Sequence, residues 1–200
     1  VQAEVLSPSQ VNCFLHCPAS WYYRYVARLP FVRSASLAMG DAVHAALATN
    51  FSQKLESGQD LPVDDVAAAF RAEWEEAIRD VSWQEGEDAA DLAAAGEQLV
   101  RLYMEQVAPL VRPRRVESEV TAEFGGARIR ARVDLIDQAG TVIELKTAGS
   151  DPGRLKQEYV LQLGTYVFAE GVAAGQIRVD TLVRLKTKVK LVQYERQLGE

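Results

Sequence analysis

The stretch Val133–Ala148, VDLIDQAGTVIELKTA, decides the fold. It reads as two apolar runs around a turn at Gly140, with Asp134 just inside the first run and Glu144 and Lys146 inside the second. Side chains alternate along a strand, so Glu144 and Lys146 project to one face and Leu145 to the other. A loop near residues 137–140 sets Asp134 across from Glu144 on the adjacent strand. Two carboxylates that close repel unless a cation lies between them, and a hard divalent ion, Mg²⁺ or Mn²⁺, suits oxygen ligands. The Leu145 carbonyl adds a further oxygen. Lys146 is then a nearby cation able to hold or help deprotonate a water, or to stabilise charge on a phosphate. The competing reading is a plain hairpin whose three charges form surface salt bridges in water. These three residues alone do not separate the two.

Working outward, the chain changes period near residue 113. Before it lie helical patterns. Ser7-Pro8 is an N-cap with proline in the first turn, and the helix it starts breaks near Cys17-Pro18 and resumes through WYYRYVARL. A second helix over 36–55 carries Val43, Leu47, Phe51 and Leu55 at i, i+4 spacing. A third covers 64–78, and an alanine-rich fourth runs from about 87 to 111. After Pro113 the pattern alternates, predicting strands over 115–124, 129–136 and 141–145. Asp151-Pro152 signals a helix start, with Leu155, Tyr159, Leu163 and Tyr166 at helical spacing, and strands over 177–185 and 189–194 close the chain. The order predicts an α/β (α+β) fold: a small mixed sheet flanked by helices, with an N-terminal helical lobe. We expect one domain over 1–200, a helical lobe at 1–112 and a sheet-and-helix core at 113–200.

Composition narrows the class. No apolar run approaches the roughly 20 residues that span a bilayer, and no membrane association is expected. The first residues lack the basic and apolar regions of a secretory signal, and Cys13 and Cys17, four apart on a helix, do not make a disulfide framework. Both predict the cytoplasm. The net charge of −6 is unevenly spread: residues 51–100 hold 13 acidic against 3 basic side chains, while both flanks are mildly basic. Net sign therefore neither supports nor excludes a nucleic-acid partner.

Other positions gather around the hairpin. In MGDAVHAAL, His44 sits beside the apolar stripe with Gly40 and Ala48 one turn away on either side. Such a helix histidine is a satisfied core or boundary residue, or, since small neighbours leave room for another element at the imidazole, part of a mixed nitrogen and oxygen shell around Mn²⁺. In LQLGTY, Gln162 and Tyr166 are i, i+4, so both polar heads leave one helix face. They are a boundary pair, or a pair contacting a phosphate or its water. Trp21, Tyr22, Tyr23 and Tyr25 with Arg24 and Arg28 are core and interface packing, or a surface that stacks bases and holds phosphates. His16 has no such setting and reads as structural or surface.

Together these residues resemble the RecB-like branch of the PD-(D/E)XK nuclease superfamily, which includes CRISPR-associated RecB-like exonucleases. LSPSQVNCFLHCP looks like that branch's opening helix, GDAVH like its glycine-to-histidine metal motif, VDLID…VIELK like its Asp…Glu-x-Lys core, and QLGTY like its Gln-x-x-x-Tyr motif. The resemblance implies a restriction-endonuclease-like core. It implies metal ligands at His44, Asp134, Glu144 and the Leu145 carbonyl, a catalytic Lys146, and Gln162 and Tyr166 assisting at the DNA. It implies Mg²⁺ or Mn²⁺, a DNA substrate with ends or single strands, and helicase or CRISPR-adaptation partners. Val133 stands where the superfamily name has proline. Many relatives hold an iron–sulfur cluster between a C-terminal cysteine trio and the cysteine of the CP element, here Cys17. The sequence through Glu200 contains no such trio, so these residues do not assemble a cluster.

The expectation is a metal-dependent exonuclease acting on DNA in repair, recombination or CRISPR adaptation. A non-catalytic DNA-binding or assembly module of such a complex is the alternative. A sequence-specific restriction endonuclease is a third reading.

Overall fold

The computed structural model describes residues 5–169 and 175–198. Six α-helices and a six-stranded mixed sheet make up the main body of these residues. Ser7 opens α1 (Pro8–His16) by accepting the Gln10 N–H on its hydroxyl at 3.2 Å. The predicted break at Cys17-Pro18 is present. The Cys17 thiol caps the short α2 (Pro18–Trp21) by accepting the Ser20 N–H. The chain then widens into a π-helical turn, its last bond running from the Ala27 N–H to the Tyr22 carbonyl.

Three longer helices form one layer: α3 (Ala35–Ser57), α4 (Val63–Ala77) and α5 (Ala89–Gln106). Gly58 ends α3 at φ 75, a backbone that residues with a Cβ avoid. The fourth predicted helix stops at Gln106 rather than 111, because a 3₁₀ turn with Pro109 at its second position takes over at Ala108–Leu110. A two-residue ladder joins β2 (Arg33–Ser34) to β3 (Val81–Ser82), beyond the reach of any periodicity reading.

The sheet is built from β1 (Val5–Leu6), β4 (Pro113–Phe124), β5 (Ala127–Asp137), β6 (Val142–Ala148), β7 (Gln176–Arg184) and β8 (Val189–Gln197). α6 (Gln157–Ala169) covers its second face. The predicted start of α6 at Asp151-Pro152 is corrected. Asp151 spends one carboxylate oxygen on the Gly153 N–H and the other on Lys190, which makes a turn, and the helix begins at Gln157.

β5 is the pivot. β4 pairs antiparallel with it from Pro113↔Asp137 to Phe124↔Ala127 and so fills one edge. The other edge is shared. β1 runs parallel at Arg128 and Ile129, and β6 runs antiparallel at Leu135 and Ile136 only. Residues 130–134 lie between these two partners. β6 then continues parallel to β7, which pairs antiparallel with β8.

Two cores lie on the two faces. Leu135, Ile143 and Leu145 pack with α3, α4 and α5, while Val133, Ile136, Val142 and Val179 pack with Leu163, Tyr166 and Val167 of α6. In a regular strand, residues two or four apart share a face. Here Val133 and Leu135 enter different cores, as do Val116 and Val120 on β4. Both strands switch face at one level, between the pairs Val116↔Leu135 and Ser118↔Val133. Glu117 lies at that level on β4 with φ 46, and Asp134 lies at it on β5.

Gly40 brings α3 onto β6. A Cβ on Gly40 would lie 2.4 Å from Thr147 Oγ1, a branched side chain with little freedom to retreat. We expect Gly40→Ala to destabilise the protein by about 1–3 kcal/mol through overpacking. With Thr147→Ala the same change becomes neutral or stabilising, since alanine is favoured over glycine in a helix by about 1 kcal/mol. Urea denaturation of the four-member cycle measures this, and additive effects would refute the contact.

Candidate active site

The β5–β6 hairpin parts where its charges begin. Continuing the register Leu135↔Ile143 would pair Asp134 with Glu144, but the ladder stops there. The Leu145 N–H donates instead to the Asp134 carboxylate, Oδ2, at 2.8 Å. A residue's N–H and C=O leave a strand on the same side, so the Leu145 carbonyl also lies on the edge facing Asp134.

Glu144 and Lys146 share the α6 face, with Leu145 in the opposite core, as the alternation required. Glu144 is 2% exposed, which rules out the solvated-hairpin reading. Its Oε1 accepts two hydrogen bonds, from Lys146 Nζ at 2.5 Å and Gln162 Nε2 at 2.7 Å. Its Oε2 is buried and has no hydrogen-bond partner among the described residues. Gln162 Nε2 also donates to the Tyr166 hydroxyl at 2.6 Å, so its amide nitrogen is spent on protein groups. Lys146 lies over the Tyr159 ring, 5.4 Å from its centroid.

His44 arrives from α3 on the other face, one turn after Gly40. Its Nδ1 stands 3.7 Å from Asp134 Oδ2, too long for a hydrogen bond. Among the described residues no three His, Cys, Asp or Glu side chains converge as a ready-made metal cluster.

Burial dominates the titration. It pushes Asp134 up to about 6 against the pull of Lys146. Burial and the nearby Asp134 push Glu144 up to about 7. Burial and Lys146 push His44 down to about 4, so the imidazole is neutral at neutral pH. Burial also pulls Lys146 down, but the attraction and hydrogen bond of Glu144 outweigh it, so the ammonium stays charged. Burial raises the Tyr166 phenol, which stays protonated.

Sequence reading missed Glu117 and Arg132. Arg132 Nε bonds Glu117 Oε2 at 2.6 Å, and Glu117 adds a negative charge near both Asp134 and Glu144. In the sequence Glu117 is one acid among several in an alternating strand, and no spacing announces its left-handed backbone. Cys13 and Cys17 are free and half-buried. His16 is exposed at the end of α1.

A family profile for the PD-(D/E)XK nuclease superfamily matches residues 5–194. The chain belongs to the PD-(D/E)XK nuclease superfamily. A crystal structure from Eubacterium rectale, named "Putative exonuclease", superposes with a TM-score of 0.64 at 13% identity, covering 96% of this chain and 73% of that one. That likeness is one of fold. A second solved structure, SSO0001, gives a TM-score of 0.35 at 17% identity over 76% of this chain and 77% of that one. No curated protein matches the chain in sequence. No helix among the described residues is long and apolar enough to cross a membrane.

The nuclease-fold site is costly when its carboxylates are ionised. Asp134 and Glu144 rise from ordinary values of 3.8 and 4.5 to about 6 and 7. The folded state therefore holds their protons more tightly than the unfolded chain. The stability this provides is complete below about pH 4 and is lost as pH rises through 6 and 7. We expect wild type in EDTA to lose a few kcal/mol across that window relative to Asp134→Asn/Glu144→Gln. Urea unfolding from pH 4 to 8 measures the difference, and a difference independent of pH would contradict these shifts.

Proposed function

We propose that the protein is a metal-dependent deoxyribonuclease that hydrolyses phosphodiester bonds from DNA ends. The observation that carries this reading is the buried, partnerless Oε2 of Glu144, fixed by two donors on its other oxygen and set beside Asp134. An orphaned acceptor in a dry site costs energy that a cation would offset. The donor set of two carboxylates, a backbone carbonyl and a neutral imidazole fits Mg²⁺ or Mn²⁺, which keep water or substrate oxygens in their remaining positions. Asp134, Glu144, His44 and the Leu145 carbonyl would hold it. When bound, such an ion supplies Lewis-acid polarisation of the phosphate and a more acidic water.

This chain's own residues do the rest. Lys146 acts as a charged donor toward the attacking water or the developing phosphate charge, since its pairing with Glu144 keeps it protonated. Gln162 orients Glu144, and Tyr166 in turn accepts from Gln162. Residues 1–200 act as one nuclease domain, with α3 contributing His44 to the sheet's site. Action in repair, recombination or CRISPR adaptation, and helicase or adaptation partners, rest on the resemblance alone. So does an iron–sulfur role for Cys17.

Wild type with Mn²⁺ is expected to degrade linear DNA progressively, without the discrete bands a restriction endonuclease makes from a plasmid. Lys146→Ala lowers the rate at least about a hundredfold. Equal rates for the two proteins would sink the reading and leave a non-catalytic DNA-binding module.

A further inference from the structure

Between Glu4 and Asp41 the sequence holds no aspartate or glutamate, in a chain whose net charge is −6. The same stretch is rich in rings. Trp21 packs edge-on against Phe14 at 5.5 Å between centroids and lies 6.4 Å from Tyr25. Tyr22 and Tyr23 are left 51% and 54% exposed, their rings 5.7 Å apart. The Arg24 guanidinium lies over Phe31 at 5.0 Å and Tyr25 at 5.6 Å. Neither Arg24 nor Arg28 has a carboxylate partner among the described residues.

Arg28 occupies a position that favours glycine. Its φ is 52, and the following Leu29 N–H donates to the Tyr23 carbonyl six residues back, as at a helix C-terminus closed by a left-handed residue. A side chain with a Cβ is disfavoured there, so its presence asks for a use outside the local backbone.

The helix that precedes this surface touches the helix that lines the site. Asn12 of α1 donates to the Glu158 carbonyl of α6 at 3.2 Å, and α6 carries Gln162 and Tyr166. A cavity of about 350 Å³ is lined by Ser7 and Ser9 at the start of α1, by Arg130, Arg132 and one acid, Glu119, and by Gln162, the residue that holds Glu144.

We propose that residues 14–31, which stop short of the Arg33–Asp41 ion pair, form a single-strand DNA track, with Tyr22 and Tyr23 stacking on bases and Arg24 and Arg28 holding phosphates. This deepens the nuclease reading and rests on it. Exposed ring faces stack with any unpaired base, whereas duplex bases are already stacked on each other. The missing acid matters as much, because any carboxylate in the track would repel the phosphates.

The test is fluorescence anisotropy with a labelled oligothymidylate in EDTA at several salt concentrations. Wild type is compared with Tyr22→Ala/Tyr23→Ala and with Arg28→Gly. The tyrosine pair is exposed, so its removal leaves the thermal midpoint unchanged and weakens binding about tenfold or more. Arg28→Gly weakens binding and makes the salt slope shallower by about 0.7, while its midpoint is unchanged or higher because glycine fits that backbone. A merely structural arginine would move the midpoint and not the affinity. Wild-type affinity in both variants overturns the track. So does a wild type that ignores the oligonucleotide, or a dimer that the tyrosine changes dissolve without altering affinity, which would assign the surface to a second copy. Cleavage of linear DNA by wild type with Mn²⁺ is read separately. If it occurs while the variants bind normally, the track fails and the nuclease reading stands.

Discussion

The hydrogen bond from the Leu145 N–H to the Asp134 carboxylate is the constraint on which the site depends. It stands where the β5–β6 ladder stops and lets the two strands part without leaving that donor unpaired. The parting opens residues 130–134 of β5 between β1 and β6. It also lets one site draw on both faces of the sheet: Glu144 and Lys146 toward α6, and His44 from α3. A regular hairpin would have sealed the edge and kept the helical layer away from Asp134. The cost falls on Glu117, whose left-handed backbone sits at the level where both strands change face.

Glu144 shows how charge survives in that setting. A lone buried carboxylate would be prohibitive, and two donors on one oxygen lessen the penalty without removing it. What remains appears as the raised proton affinity of Glu144 and Asp134 and as the unpaired Oε2. β7 behind β6 shows the opposite solution. Asp180 is fully buried yet accepts from Tyr103, Arg178 and Gln193. A structural carboxylate has its oxygens satisfied by protein donors, whereas Glu144 keeps one open.

The elements with strong periodicity were legible in the sequence, and those fixed by single contacts were not. The change of pattern at Pro113 located β4, β5 and β6, and alternation alone put Leu145 opposite Glu144 and Lys146. Gly40 near His44 announced a close approach, and Thr147 is the group that approaches. Asp151-Pro152 misled because an Asx turn and a helix N-cap use the same residue types. β1 has two residues, too few to alternate, although it closes the edge that defines the notch. Glu117 was illegible because nothing in an alternating strand marks one acid for a left-handed backbone.

The placement of His44 also decides how the helical layer should be regarded. Gly40 and Thr147 fix the separation of α3 from β6, and His44 is one turn further along the same helix. Its reach to Asp134 is therefore set by a backbone-to-strand contact, not by a flexible side chain. Val43 and Leu47 on either side are fully buried among α4 and α5 residues, so α3 cannot rotate without disrupting that core. The α3–α5 layer is thus more than a wall beside the sheet. It is the rigid frame that holds the imidazole at the gap the strands leave open.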